Sequence, residues 1–311
     1  MDRKLAITGG AGFVGSNLAE ALAKENQVVV IDDLSFGRAE NLAGINARFV
    51  RGSILDLDLL KTAFQEVDCV FHQAAIASVQ RSVQDPVWTG KVGTEGTLNV
   101  LVAARDAGVR KVVFASSAAV YGDSTELPKR EGMCPDPKSP YAVSKLAGEH
   151  HCKVFRELYG LETVSLRYFN VFGPRQDPSS EYSGVISRFI SVMAKGESPV
   201  IFGDGEQTRD YVYVKDVVRA NILASRSGSG VFNIAGGRRT NLNQLTSMIG
   251  AILECNVRPE HRGPRAGDIR DSLADISRAG EIGYEPHTRL EDGLVEMIEW
   301  FSNQICNKKQ N

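Results

Sequence analysis

Tyr141 and Lys145 lie four residues apart in Tyr141-Ala142-Val143-Ser144-Lys145, and a serine pair, Ser116-Ser117, precedes them in the chain. On a helix that spacing puts both side chains on one face, so the ammonium can favour the phenolate within a shared pocket. A free tyrosine titrates at about 10, and a phenolate that works near neutrality needs a neighbouring cation or equivalent help to come down by several units. Lys145 supplies that charge. The set therefore describes a general base with hydroxyls beside it.

A second set stands at the N-terminus. Lys4-Leu5-Ala6-Ile7-Thr8 is an apolar run of strand length, followed by Gly9-Gly10-Ala11-Gly12-Phe13-Val14-Gly15 and a helical pattern from Ser16 to Lys24. Strand, glycine turn and helix in that order form a pyrophosphate cradle. Gly9 permits the tight turn, Gly12 lets backbone amides approach the phosphates at the helix N-terminus, and Gly15 allows helix and strand to pack closely. The next strand, Gln27 to Ile31, ends in Asp32, where a carboxylate can accept hydrogen bonds from the adenosine ribose. That acid, with Asp33 behind it, favours NAD over NADP because a 2′-phosphate would meet like charge; Arg38 is the nearby cation that bears on this choice.

Strand-like runs at Leu5–Thr8, Val28–Ile31, Ala47–Val50, Cys69–His72, Lys111–Ser116 and Thr163–Arg167 alternate with helical patterns that include Val87–Ala107 and Pro140–Tyr159. That rhythm predicts a doubly wound parallel sheet. It breaks after Asn170, where loops rich in Gly and Pro mix with short apolar stretches and two helices, Leu242–Glu254 and Leu290–Asn303. We expect an NAD-binding domain over 1–170 and a smaller lobe over 171–311, with some of its segments returning to the first domain. Ligands of open parallel sheets bind beyond the strands' carboxyl ends, where Gly9, Asp32, His72, Ser116-Ser117 and Arg167 to Asn170 fall.

The 311 residues carry 36 Lys and Arg against 38 Asp and Glu, a formal net charge of −2, which gives no field to draw nucleic acid or an anionic membrane. No apolar stretch approaches the ~20 residues of a membrane span, and Met1-Asp2-Arg3 leads into a strand rather than a signal peptide, so a cytoplasmic protein is expected. Five cysteines without paired spacing suggest neither a disulfide framework nor a metal site, and His150-His151 lack ligand spacing.

The segments GGAGFVGSNL, HQAA, SSAAVYG, SPYAVSK, RYFNVFGPRQ, FGDGEQTRDYVYVKDV, NIAGG and RAGDIRDSLADISRA, in that order, resemble the extended short-chain dehydrogenase/reductase family. The resemblance runs from Lys4 to Phe301 and is strongest to its nucleotide-sugar epimerases, above all those acting on UDP-N-acetylhexosamines. It implies a Rossmann-type sheet with a smaller mixed α/β substrate-binding lobe, NAD as cofactor and a UDP-sugar as substrate. The implied reaction is a redox cycle at C4: Tyr141 takes the hydroxyl proton while hydride leaves for the nicotinamide, the 4-keto sugar turns over, and hydride returns to its other face. Lys145 would bind the nicotinamide ribose and lower the tyrosine pKa. Ser117 would hydrogen-bond the reacting oxygen, preferred to Ser116 by its register before Tyr121-Gly122, although Ser116 could share or take that role.

By position, the resemblance also puts Phe13, Val14, Ala74 and Tyr168 at the cofactor, and Ser78, Gly184, Asn170, Arg209, Arg265 and Asp268 at the substrate, the arginines suiting diphosphate through their planar forks. Two departures bear on the chemistry. Ala118-Ala119 follow the serines where dehydratases and decarboxylases of the family carry acids, which favours simple epimerisation. Ser272 occupies the gate position where a bulky aromatic would restrict the pocket, and with Gly184 and Ala77 it leaves room for an acetamido group. Gly93 stands where the family commonly has Asn beside the cofactor. Relatives pair two helices per subunit into a four-helix bundle, so Val87–Ala107 and Pro140–Tyr159 would form a homodimer face, unless apolar positions such as Leu98, Val102, Val154 and Phe155 pack inside the monomer. A UDP-glucose 4-epimerase with little acetamido activity, and a non-catalytic NAD- or sugar-nucleotide-binding regulator, are the competing readings.

Overall fold

The computed structural model describes residues 3–177, 184–264 and 270–308. Four apolar residues in a row, Val28 to Ile31, are each at most 3% exposed, as a strand covered on both faces requires. Such strands build a seven-stranded sheet from β1 (Lys4–Thr8), β2 (Gln27–Asp32), β3 (Arg48–Arg51), β4 (Cys69–His72), β5 (Lys111–Ser117), β6 (Glu162–Tyr168) and β10 (Gly230–Ile234). Every pairing is parallel and the order is β10-β6-β5-β4-β1-β2-β3, so the chain reverses direction across the sheet between β1 and β4. The predicted strands lie within a residue or so of those observed. β10 comes from the chain's second half and completes the sheet at its far edge.

Helices α1 (Phe13–Leu22) and α8 (Val214–Arg226) cover one face, closing a core around Ile7, Leu18, Val30 and Phe232. The other face carries α2 (Leu57–Ala63), α5 (Gly96–Asp106) and α6 (Pro140–Tyr159) over Val70, Leu101, Phe114 and Phe155. Two smaller sheets flank a third core: β7 (Asn170–Phe172), β9 (Thr208–Tyr213) and β11 (Arg239–Asn241) form one, and β8 (Val200–Phe202) with β12 (Glu260–Arg262) the other. Against them pack α7 (Val185–Met193), α9 (Leu242–Ile252) and α10 (Leu290–Lys308).

The long helix expected over Val87–Ala107 is three pieces. The short helix α4 (Pro86–Gly90), itself preceded by α3 (Val79–Gln84) outside that range, leads into a π turn, Lys91–Glu95, before α5 resumes the α register. Gly93 sits in that turn because a Cβ there would stand 2.6 Å from Cβ and Oγ of Ser144 on α6. The departure from the family's Asn is therefore a packing requirement of this chain.

A buried relay fastens the turn to the sheet. Thr97 Oγ1 donates to the Gly93 carbonyl, so it must accept from His72 Nε2, leaving His72 Nδ1 to accept from Thr8 Oγ1 at 2.7 Å. His72 is thus a neutral core histidine, its pKa pushed down by burial from 6.5 to about 3. In that interval the unfolded chain binds a proton that the native state does not, so stability falls as pH drops below 6.5. Between pH 7.5 and 5 this one group should cost about 2 kcal/mol. Urea unfolding at the two pH values should show a smaller acid loss in His72→Gln than in the parent; equal losses would contradict a neutral His72.

Candidate active site

Beyond the carboxyl ends of the strands, at the reversal between β1 and β4, opens a cavity of about 700 Å³. The glycine turn forms one wall. Gly9 has φ of 68°, and a Cβ there would meet Ala74 backbone atoms at 2.6 Å; a Cβ on Gly15 would stand 2.2 Å from the Gly9 carbonyl. No side chain can be added at either place, and Gly9, Gly12, Phe13, Val14 and Gly15 all line the cavity. Gly12 is the N-cap of α1 and lends it no side chain, which leaves the helix N-terminus open to an anion.

Asp32 lies across from this turn, 7% exposed, accepting from the amides of Ala11 at 2.9 Å and Leu34 at 2.8 Å. Burial raises its pKa and the two amides oppose the rise. A Cβ on Gly37 would come within 2.8 Å of both carboxylate oxygens, so the loop after β2 closes tightly over the acid. Arg38, on the same loop, pairs with Asp177, and both residues line the cavity. Phe36 and Arg81 stack at 4.8 Å on that wall, a contact that sequence reading did not find.

Ser139 caps α6 by accepting from the Ala142 amide, Pro140 fills its first position, and Gly160 ends it at φ of 69°. The helix thereby brings Tyr141 and Lys145 to the cavity together, as their spacing predicts. Lys145 is 5% exposed, its Nζ donating to the Ala115 carbonyl at 2.7 Å and lying 5.8 Å from the Tyr141 ring centroid. Burial brings its pKa down to about 8, with the Glu149 charge opposing. Tyr141 is half-buried, and here the expected lowering is reversed: burial raises its pKa, and a hydrogen bond with Ser117 works against the rise. The reason is geometric, since the ammonium is directed to a β5 carbonyl rather than to the phenol.

The two serines differ in their partners. Ser116, 2% exposed, lines the cavity while its hydroxyl donates to Glu149 Oε1 at 2.5 Å. Ser117 is half-buried, its Oγ accepts from the Ala119 amide, and it stands near enough to Tyr141 to oppose the rise of the phenol pKa. Ala74 and Tyr168 also line the cavity, the Tyr168 hydroxyl held by Gln73 and Asn221 and its pKa pushed up to about 12 by burial. Gln73, Asn221 and Glu149 went unnoticed in the sequence, and Arg167 was placed at its strand end without its partner, because each works through a residue on a different element.

The substrate candidates are more dispersed. Gly184 lines the cavity as N-cap of α7, and Ala77 lines it as well. Ser78 instead caps α3 and is buried. Asn170 Nδ2 donates to the Asp210 carbonyl at 3.0 Å, and Arg209 Nη1 donates to the Thr208 carbonyl at 2.8 Å, so both are turned to backbone oxygens. Ser272 runs alongside β9, its amide donating to Thr208 at 3.1 Å. Arg265 and Asp268 lie outside the described residues.

A profile of the NAD dependent epimerase/dehydratase family matches residues 5–235, and the chain belongs to that family. The UDP-glucose 4-epimerase of Mycolicibacterium smegmatis is 42% identical over 309 residues, covering 96% of this chain and 98% of the relative. The solved UDP-N-acetylglucosamine 4-epimerase of Methanobrevibacter ruminantium, in complex with UDP-N-acetylmuramic acid, superposes with a TM-score of 0.95 at 42% identity, covering 97% of this chain and 99% of that one. The UDP-glucose 4-epimerase of Thermus thermophilus in complex with NAD gives 0.88 at 38% identity, over 96% and 99%. The chain is accordingly an NAD-dependent nucleotide-sugar 4-epimerase, an isomerase. The side-chain-free cradle at Gly9 and Gly15 and the enclosed Asp32 carboxylate fit NAD. Among the described residues no helix is long and apolar enough to cross a membrane, and no group of His, Cys, Asp and Glu gathers that could hold a metal.

NAD at a hundred times its Kd should stabilise the parent by about 2.7 kcal/mol. Gly15→Ala places a methyl against a carbonyl that cannot yield, so thermal unfolding of this variant should show no NAD-dependent shift; a shift equal to the parent's would remove the glycine turn from the cofactor site.

Proposed function

We propose that this epimerase interconverts UDP-N-acetylglucosamine and UDP-N-acetylgalactosamine and also accepts UDP-glucose and UDP-galactose. The observation that carries the reading is the small side chains at the substrate positions: Ala77 and Gly184 on the cavity wall, and serine at 272 where an aromatic would narrow the pocket. The likeness to the Methanobrevibacter epimerase supports it, while the UDP-glucose 4-epimerases among the relatives favour the narrower alternative.

NAD, when bound, accepts and returns the hydride of C4. Tyr141 takes the proton of the 4-hydroxyl and later restores it, and Ser117 hydrogen-bonds the oxygen as it becomes a ketone. Lys145 keeps a positive charge near the tyrosine and stands ready to hold a ribose. Ala118 and Ala119, in the 3₁₀ turn after Ser117, offer only methyl groups, so nothing there assists proton transfer beyond C4. Asn170 and Arg209, on leaving the Asp210 and Thr208 carbonyls that they bond here, serve the UDP moiety with Arg265 and Asp268, and the UDP must stay held while the keto sugar turns over.

We further propose a homodimer through α4, α5 and α6. Phe155 is inside the monomer and Leu98 and Val102 pack partly against the same core, whereas Val87 at 81%, Val143 at 52% and Leu158 at 71% exposed leave an apolar face on these helices. A sedimentation mass of one chain at micromolar concentration would contradict it.

Proton NMR of the anomeric region, with UDP-N-acetylglucosamine and UDP-glucose supplied separately, should show the 4-epimer of each. Conversion of UDP-glucose alone would leave the alternative. Tyr141→Phe should lower kcat by about 10²–10⁴-fold with little change in KM. Ser272→Tyr should reduce turnover of the acetylated substrate by about 10–200-fold and spare the plain one; equal survival of both activities would remove Ser272 from the pocket.

A further inference from the structure

One helical turn beyond Lys145, on the same face of α6, Glu149 enters a buried ion pair. Arg167 on β6 grips it with two hydrogen bonds, Nε to Oε1 at 2.8 Å and Nη2 to Oε2 at 2.7 Å, the two side chains being 4% and 5% exposed. Oε1 also accepts from Ser116 Oγ. Arg167 lies over the Tyr121 ring at 4.7 Å and donates weakly to the Glu131 carbonyl at 3.4 Å. The carboxylate thus ties together three elements that carry the site: β5, which ends in the serines, β6, which leads into Tyr168, and α6, which carries the base.

The pair is costly to bury unless fully satisfied, and removing one member leaves a charge without a partner. Its place beneath the site gives that burial a use. The other titratable groups around Lys145 are held neutral: His72 on β4 is pushed down to about 3, and Tyr168 on β6 and Cys152 on α6 are pushed up to about 12, all by burial. Tyr141 on α6 and Tyr121 on the turn after β5 are likewise shifted toward their neutral forms. Glu131 reaches Arg167 through its backbone carbonyl while its carboxylate accepts from the Asn233 amide. Glu149 is therefore the anion whose field supports the buried ammonium.

We propose that Glu149 is a positioning residue: held by Arg167, it engages the Ser116 hydroxyl, leaves Ser117 as the hydroxyl beside Tyr141, and keeps Lys145 charged. This rests on the assignment of Tyr141, Lys145 and Ser117 above. Its test need not involve turnover. The Lys145 ammonium is titrated by NMR of protein labelled with ¹⁵N at lysine Nζ, its signal assigned by its loss in Lys145→Met. In Glu149→Gln the midpoint should move down by about one pH unit, a tenfold change in the ratio of ammonium to amine at a fixed pH. The alkaline limb of kcat/KM should move with it wherever a UDP-sugar is turned over.

An unmoved midpoint, with stability alone reduced, would overturn the proposal and leave the pair a structural element. Should Glu149→Gln not fold, Glu149→Gln/Arg167→Met leaves no buried charge unpaired and should show a downward shift of the same sign. Failure of both to fold would count against the proposal. Because the titration reads Lys145 itself, an inactive assay mixture would challenge the substrate reading without touching this one.

Discussion

The closeness with which α6 lies on the sheet is the constraint from which the site follows. A Cβ on Gly148 would fall 2.4 Å from the Phe114 ring, and Lys145 reaches past that ring to the Ala115 carbonyl. A helix held further from β5 could not make that bond, and Tyr141 would no longer meet Ser117. The same closeness is repeated on the helix's outer flank, where Gly93 admits Ser144 and the neighbouring helix accommodates the contact with a π turn. Small residues thus set distances on both sides of the element that carries the base.

Such a seating puts charged groups where water cannot reach them, and the protein answers by keeping most of its buried titratable groups neutral. His72 is fixed in one tautomer by two threonines, and the Tyr168 phenol is shared between Gln73 and Asn221. Charge is retained at Glu149 and Arg167, which are paired with each other, and at Lys145, whose pKa of about 8 leaves it mostly protonated near neutrality. Burial favours the protonated phenol at Tyr141, the form that returns the proton to the sugar, whereas taking the proton needs the phenolate, which a positive charge at Lys145 favours.

Much of this was legible in the sequence where the signal is local. Alternation of apolar runs with helical stretches located six of the seven strands of the main sheet, and the spacing of Gly9, Gly12 and Gly15 marked the turn before any coordinate was known. Tyr141 and Lys145 share a face because helical spacing demands it. What escaped was set by partners far apart in the chain. Arg167 finds Glu149 only because β6 lies beneath α6, and Gly93 acquires its role only from Ser144 on another helix. Register alone put Ser117 ahead of Ser116; the engagement of the Ser116 hydroxyl by Glu149 is a contact that register does not encode. Asn170 and Arg209, read as phosphate ligands, are turned toward backbone carbonyls, an orientation no motif encodes.

The central claim is that hydrogen leaves C4 and returns to it within one closed cavity, with Tyr141 carrying only the proton. A UDP-sugar deuterated at C4, incubated with the enzyme and NAD in ordinary water, tests it most directly by NMR and mass spectrometry of the 4-epimer. The account predicts a product that keeps its deuterium at C4, with no net accumulation of reduced NAD. Loss of the label to solvent would contradict it, because the hydrogen would then have travelled as a proton through a side chain.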